Sequence, residues 1–230
     1  MYRHLFFDAD GTLFDFDRAE QQAFTLMARE LSLPDDQDAF SLYKKSNETC
    51  WKEFERGVIS LAQLKTLRFE RFFSALAIEG NSALSSSRYQ SHLAHQGILF
   101  AESIEVLETL KRRGYALYLA SNGIAEVQRG RIKAAGIGSY FKGIYISEEL
   151  GVQKPDTRFF RYMLEQEQLL ADKKSCLMIG DSLSSDIKGG FDFGLDTAWI
   201  RTGTSEPKDV QPTYTLSQVN DLLNLLTSPL

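Results

Sequence analysis

The chain opens on a short apolar run, Leu5-Phe6-Phe7, that breaks off in Asp8-Ala9-Asp10-Gly11-Thr12. A continuous apolar run of this length, bounded by a turn signal, predicts a buried strand. From Asp15 to His95 the apolar residues recur at spacings of three and four, which predicts helices only. A first helix is expected from a cap at Asp17 to about Leu31, with Ala23, Leu26, Met27 and Leu31 on one face, and Pro34 breaks it. A second covers residues 38–54 and stops at Gly57; a third covers 61–76, with Leu64, Leu67, Phe72 and Leu76 in register; a fourth lies within 81–94. From Gly97 onward the pattern alternates. Helices are predicted over 103–113, 124–135, 155–166, 184–193 and 216–226, and strands over 115–120, 143–147, 175–179 and 197–200. Gly114 and Gly136 close two of these helices, Pro155 opens another, and residues 203–212 read as a surface loop. Alternating strands and helices predict parallel βαβ units. The expected architecture is therefore an α/β core from residues 1–15 and 96–230, interrupted once by an all-helical insert, 16–95. An insert rooted beside the end of a strand can cover it like a lid.

At 230 residues the chain has room for one large domain, or for one domain with a smaller insert. Its net charge of -5 argues against nucleic-acid polymers and anionic membranes as partners. It has no run of 18 apolar residues, and Asp8 and Asp10 interrupt the N-terminal run too early for a signal peptide. Cys50 and Cys176 are far apart and fit no metal spacing, which predicts free thiols in a reducing cytoplasm.

Chemistry-bearing residues gather at the predicted strand ends. Asp8 and Asp10 lie two apart, so in continued strand geometry they point to one side, roughly 6–7 Å apart. One can attack while the other handles protons; the alternative is two solvated turn acids. Ser121-Asn122-Gly123 offers a hydroxyl and backbone N–H groups that suit a phosphate, or else a helix cap. Lys154 precedes Pro155, which holds it extended and can aim its ammonium inward; the alternative is a surface lysine. Asp181 and Asp186, in Gly180-Asp181-Ser182-Leu183-Ser184-Ser185-Asp186, supply oxygen ligands of the kind Mg²⁺ takes, or else start another capped helix. His92 and His95 have no evident third ligand and read as no metal site. Most aromatics of the insert (Phe24, Phe40, Tyr43, Trp51, Phe54, Phe69, Phe72, Phe73) read as packing residues, with one or two facing the site.

Taken jointly and in this order, the four segments resemble the motifs of the haloacid dehalogenase superfamily of phosphatases. The resemblance implies a Rossmann-like parallel core with central strands in the order 5-4-1-2-3, and a helical cap inserted after the first motif. Phe6 to Phe16, Trp51, Gly57, Arg68-Phe69 and Ile146 to Pro155 are further similar to the house-cleaning pyrimidine nucleotidase branch. By that resemblance Asp8 is the nucleophile and Asp10 the acid and base. Mg²⁺ is held by Asp8, the Asp10 main-chain carbonyl and Asp181, with Asp186 acting directly or through water. Ser121, the Asn122 backbone N–H and Lys154 bind the phosphoryl oxygens. The implied substrate is a small phosphate ester, a pyrimidine nucleoside monophosphate. A phosphatase of a small sugar or carboxylate phosphate such as phosphoglycolate, a phosphomutase and a phosphoacceptor signalling domain are the alternatives. Asp10 favours phosphate esters over halides, because an alkoxide leaving group needs a proton and a halide does not.

Overall fold

The computed structural model describes residues 1–201 and 210–227; most of the expected 203–212 loop lies outside them. Six strands form one sheet: β1 (His4–Phe7), β2 (Ala116–Ser121), β3 (Phe141–Ile146), β4 (Cys176–Gly180), β5 (Asp196–Ile200) and β6 (Tyr214–Leu216). All pair in parallel, in the order β3-β2-β1-β4-β5-β6. The central five strands follow the implied order, and β6 adds an edge. From β1 the chain winds outward through β2 and β3, then returns to β4 on the other side. Strand β1 is thus where the winding reverses, the position at which open α/β sheets leave a crevice beyond their strand ends.

Leu5, Phe6 and Phe7 are fully buried because both faces of the sheet are covered. Leu5 and Phe7 join Leu117, Leu119, Leu177 and Ile179 against Val106, Leu107 and Leu110 of α5 (Ser103–Arg112). Phe6 turns to the opposite face, where Tyr118 and Met178 meet Phe159, Phe160 and Met163 of α8 (Thr157–Gln166). Helices α6 (Ala125–Ala135), α7 (Ser147–Leu150), α9 (Lys188–Phe193) and α10 (Leu222–Leu225) complete the core.

Between β1 and α5 lie four helices, α1 (Phe16–Glu30), α2 (Gln37–Glu55), α3 (Leu61–Leu76) and α4 (Ser82–Ala94). They form a cap with an aromatic core of its own. Tyr43 stands 5.0 Å from Phe24, 5.2 Å from Phe69 and 5.2 Å from Tyr89, ring centre to ring centre. The cap touches the sheet domain through an ion pair of Lys65 with Glu148 at 2.7 Å and a hydrogen bond from Gln153 to the Phe54 carbonyl at 2.9 Å. Gly130 of α6 packs so closely on Ala94 that a Cβ would strike the Ala94 carbonyl.

Several expectations need correction. Asp15, not Asp17, caps α1, accepting from the Arg18 N–H at 3.1 Å; Asp17 falls in the first turn and pairs with Lys44. Leu26 is exposed, because the helix turns Phe24 and Glu20 inward instead. Asp156 caps α8, so Pro155 lies before the helix rather than at its first position. The 184–193 helix is a π turn over Leu183–Ile187 followed by α9. The expected helix 216–226 is in fact the end of β6, a 3-10 turn over Val219–Asp221 and the single turn α10. Three residues of strand are too few to display a period of two.

Candidate active site

Asp8 extends β1 by one step, its N–H donating to the Ile179 carbonyl at 2.8 Å. The chain then folds back at once. The N–H groups of Leu13 and Phe14 both donate to the Ala9 carbonyl, at 3.0 and 2.9 Å, and Gly11 adopts φ +81°. Glycine is the residue for that backbone, and here also for the space, since a Cβ would collide with the Asp181 carboxylate. Asp181 follows directly on β4 and is fixed through its carbonyl, which accepts from the Trp199 indole N–H at 2.9 Å. One carboxylate oxygen each from Asp8, Asp181 and Asp186 lie within 4.8 Å of one another. An all-oxygen donor set of carboxylates, on a loop where Gly11 leaves room, fits a hard cation such as Mg²⁺.

Lys154 is no surface lysine. It is 1 % exposed, and its ammonium donates to Asp8 Oδ1, Asp186 Oδ1 and the Ala120 carbonyl, each at 2.6 Å. The Asn122 side chain positions it, donating to the Lys154 carbonyl at 2.7 Å and accepting from the Lys154 N–H at 2.8 Å. Burial raises the Asp8 pKa well above the carboxylate range; Lys154 pulls it down, but the neighbouring acids Asp186, Asp181 and Asp10 push it up. Burial and Asp186 likewise push Asp181 up to about 7. Burial works against the Lys154 ammonium, yet Asp186 and Asp8 together outweigh it and hold its pKa above the usual lysine value. The cluster is thus rich in negative charge, which is the condition a bound cation relieves.

Asp10 points elsewhere. Gln128 donates to its Oδ2 at 2.6 Å, and Arg131 forms a short ion pair with its Oδ1. Gln128 also donates to Ser121 Oγ at 2.8 Å, so the Ser121 hydroxyl keeps its own proton for another acceptor. Arg131 is fully buried, with its guanidinium 4.5 Å above the Phe14 ring. The sequence reading missed Gln128 and Arg131. Their signal was there: Ile124, Gln128, Arg131 and Ala135 recur at four, three and four along α6, so two polar residues occupy an inward stripe.

A cavity of about 350 Å³ opens above these groups. Its floor holds Asp8, Asp10, Ser121, Asn122, Asp181 and Asp186, and its cap side holds Phe16, Trp51, Glu55, Arg68 and Leu93. Of the eight cap aromatics singled out from sequence, Trp51 is the one that lines it, and Phe16 was not foreseen. Phe24, Phe40, Tyr43, Phe69, Phe72 and Phe73 pack the cap interior, and Phe54 packs on Cys50 and Leu64. His92 pairs with Glu30 and His95 bonds the Ser91 carbonyl, so the two histidines share no site.

A family model for haloacid dehalogenase-like hydrolases matches residues 2–194. Over 226 residues the chain is 39 % identical to pyrimidine 5′-nucleotidase PynA of Streptococcus pneumoniae, covering 98 % of this chain and 95 % of that protein. It is 33 % identical to pyrimidine 5′-nucleotidase YjjG of Escherichia coli, covering 96 % of both chains. The crystal structure of the HAD-hydrolase YfnB of Bacillus subtilis, described as magnesium-bound and as revealing interdomain movement, superposes with a TM-score of 0.91 at 32 % identity, covering 98 % of this chain and 99 % of that one. The chain belongs to the haloacid dehalogenase-like hydrolase family.

Proposed function

We propose that this chain hydrolyses pyrimidine nucleoside 5′-monophosphates, with Asp8 as nucleophile and Mg²⁺ as its cation. The observation that carries this reading is the different company of the two acids. Asp8 sits in the cation cluster against Lys154, whereas Asp10, two residues on, is held outside it by Gln128 and Arg131. Paired carboxylates in unlike surroundings divide nucleophile from acid and base.

In this mechanism Asp8 forms a bond to phosphorus as the ester P–O bond breaks, giving an aspartyl phosphate. Asp10 delivers a proton to the departing ribose oxygen, then takes one from the water that attacks the aspartyl phosphate. That second step returns Asp8 and releases inorganic phosphate. Asp10 accepts from two donors here, Gln128 and Arg131, which fix the orientation of its carboxyl group. The Lys154 ammonium, the Ser121 hydroxyl and the Asn122 N–H would bind the phosphoryl oxygens. Asp8, Asp181, Asp186 and the Asp10 main-chain carbonyl would hold Mg²⁺, which when bound offsets the repulsion between an anionic nucleophile and an anionic phosphate.

Two relatives named pyrimidine 5′-nucleotidases and the Trp51 ring in the cavity wall support a leaving group that carries a flat base. Cys50 and Cys176 are buried free thiols, which suits a cytoplasmic enzyme. The test compares kcat/KM for dUMP, UMP, phosphoglycolate and hexose phosphates at one Mg²⁺ concentration. A pyrimidine nucleotide should lead; a tenfold lead by either other class would leave the phosphatase chemistry standing and remove the nucleotidase.

A further inference from the structure

Arg68, on α3, is a buried cation with no carboxylate within ion-pair distance among the described residues; the buried Glu20 acts on it only at longer range. The residue is 2 % exposed, and its Nη1 donates to Asn47 Oδ1 at 3.2 Å. Asn47 in turn donates to the buried Glu20 at 2.6 Å, which fixes which way its amide faces. The guanidinium lies 4.7 Å from the centre of the Tyr89 ring, which covers its face. Its Nε and Nη2 have no hydrogen-bond partner. These two nitrogens form one edge of the guanidinium, the fork that binds paired or carbonyl acceptors. Burying such donors unpaired costs about 1–3 kcal/mol or more. Arg68 also lines the cavity that holds Asp8 and Asp10.

We propose that Arg68 is the residue that reads the leaving group: its Nε/Nη2 edge, closed to solvent in this structure, turns to the cavity when the base enters and donates to a ring carbonyl of the pyrimidine. The inference rests on the nucleotidase reading above. A carbonyl oxygen has two lone pairs and satisfies both donors; in cytosine the adjacent N3 can take one of them, whereas in uracil and thymine N3–H is itself a donor. Every natural pyrimidine carries such a carbonyl, and a base-free sugar phosphate has none. Arg68 contacts no reacting atom in this scheme. It sets which leaving group is accepted, while Asp8 and Asp10 act on the phosphate all substrates share.

The test uses the full chain with Mg²⁺ and four substrates: dUMP, 2-deoxyribose 5-phosphate, phosphoglycolate, and the phenyl C-deoxyriboside 5′-monophosphate, which keeps a flat ring without acceptors. Arg68→Met is expected to lose about 10- to 100-fold in kcat/KM on dUMP, the range for a hydrogen bond from a charged donor. It should keep its rate on 2-deoxyribose 5-phosphate and the phenyl analogue. A structural role would lower all four rates together, which would overturn the proposal. So would a wild type that hydrolyses the phenyl analogue as fast as dUMP, a comparison that needs no variant. Arg68→Lys, which keeps the charge without the fork, should behave as Arg68→Met on dUMP. A loss confined to phosphoglycolate would assign the fork to a carboxylate and overturn the base assignment. A wild type with no preference for dUMP over 2-deoxyribose 5-phosphate overturns the nucleotidase reading and the inference with it; a preference that survives Arg68→Met overturns the inference alone.

Discussion

Replacing Lys154 by methionine isolates the electrostatic debt of the site. The ammonium is 1 % exposed and spans Asp8, Asp186 and the Ala120 carbonyl at 2.6 Å each. Asp186 is itself 1 % exposed and Asp8 8 %. Methionine fills similar space without charge, so the packing loss is small and the loss of compensation dominates. Breaking a buried pair from one side costs about 3–5 kcal/mol, because the partner's charge stays buried and unpaired. In a domain of this size that corresponds to a fall in Tm of about 6–20 °C. Urea denaturation of cation-free protein reads the difference directly. Two controls separate charge from packing. Adding Asp186→Asn to Lys154→Met should recover part of the loss, because one orphaned carboxylate disappears. Saturating Mg²⁺ should also recover part of it, because a cation then compensates the same cluster. A loss below about 1 kcal/mol, the scale of an exposed pair, would refute the reasoning, as would a double variant no more stable than Lys154→Met.

Asp8→Asn should fold normally and show no turnover, whereas Asp10→Asn should slow phosphorylation by sugar phosphates far more than by an activated aryl phosphate in single-turnover assays; equal slowing removes Asp10 from the acid role. Chelation by EDTA should abolish activity and Mg²⁺ restore it, and Asp181→Ala should shift the Mg²⁺ titration to higher concentration; an unshifted curve means Asp181 is no ligand. Burial, against the Asn47 hydrogen bond and nearby cations, lifts the Glu20 carboxyl from its ordinary 4.5 to about 7. Between those values the folded chain keeps a proton the unfolded chain has released, so the Glu20 contribution is full below 4.5 and is lost as pH rises through 7. That gap corresponds to about 3 kcal/mol at most. Glu20→Gln should therefore match wild type near pH 4 and exceed it at pH 8; parallel urea-stability profiles from pH 4 to 8 would contradict this.

The core was legible because its strands are buried on both faces and so appear as bare apolar runs ending in acids. Residues 5–7 and 176–179 are of this kind, and their ends carry Asp8 and Asp181. The joint order of four segments carried the family, since each alone had an ordinary turn or cap explanation. What stayed hidden was decided by tertiary position. Nothing local distinguishes Lys154 from a solvated lysine until Asn122, thirty-two residues away, holds its backbone at both N–H and carbonyl. Leu26 shows the same limit in reverse, an apolar residue in a helical stripe that turns out exposed while Glu20 is buried. Gln128, Arg131 and Arg68 are polar residues at inward helix positions. A periodicity reading discounts them as interruptions of a pattern, although a buried polar side chain is the more informative observation.

Those three residues also fall in different layers. Arg131 and Gln128 stand on a helix of the sheet domain and bond to Asp10, so the orientation of its carboxylate is set from the core. Arg68 stands on a cap helix and lines the cavity it shares with Asp8. The side of the cap above β3 meets the core by half-buried polar contacts, Lys65 with Glu148 and Gln153 with the Phe54 carbonyl. The opposite side is apolar, with Ile124 and Val127 of the α6 region packed into the cap's own cluster beside Leu93. The cap is thus joined to the core by an apolar seam along α4 and α6 and by polar contacts on the other side, with Arg68 on the cap side of the shared cavity and the Asp10–Gln128–Arg131 group on its core side.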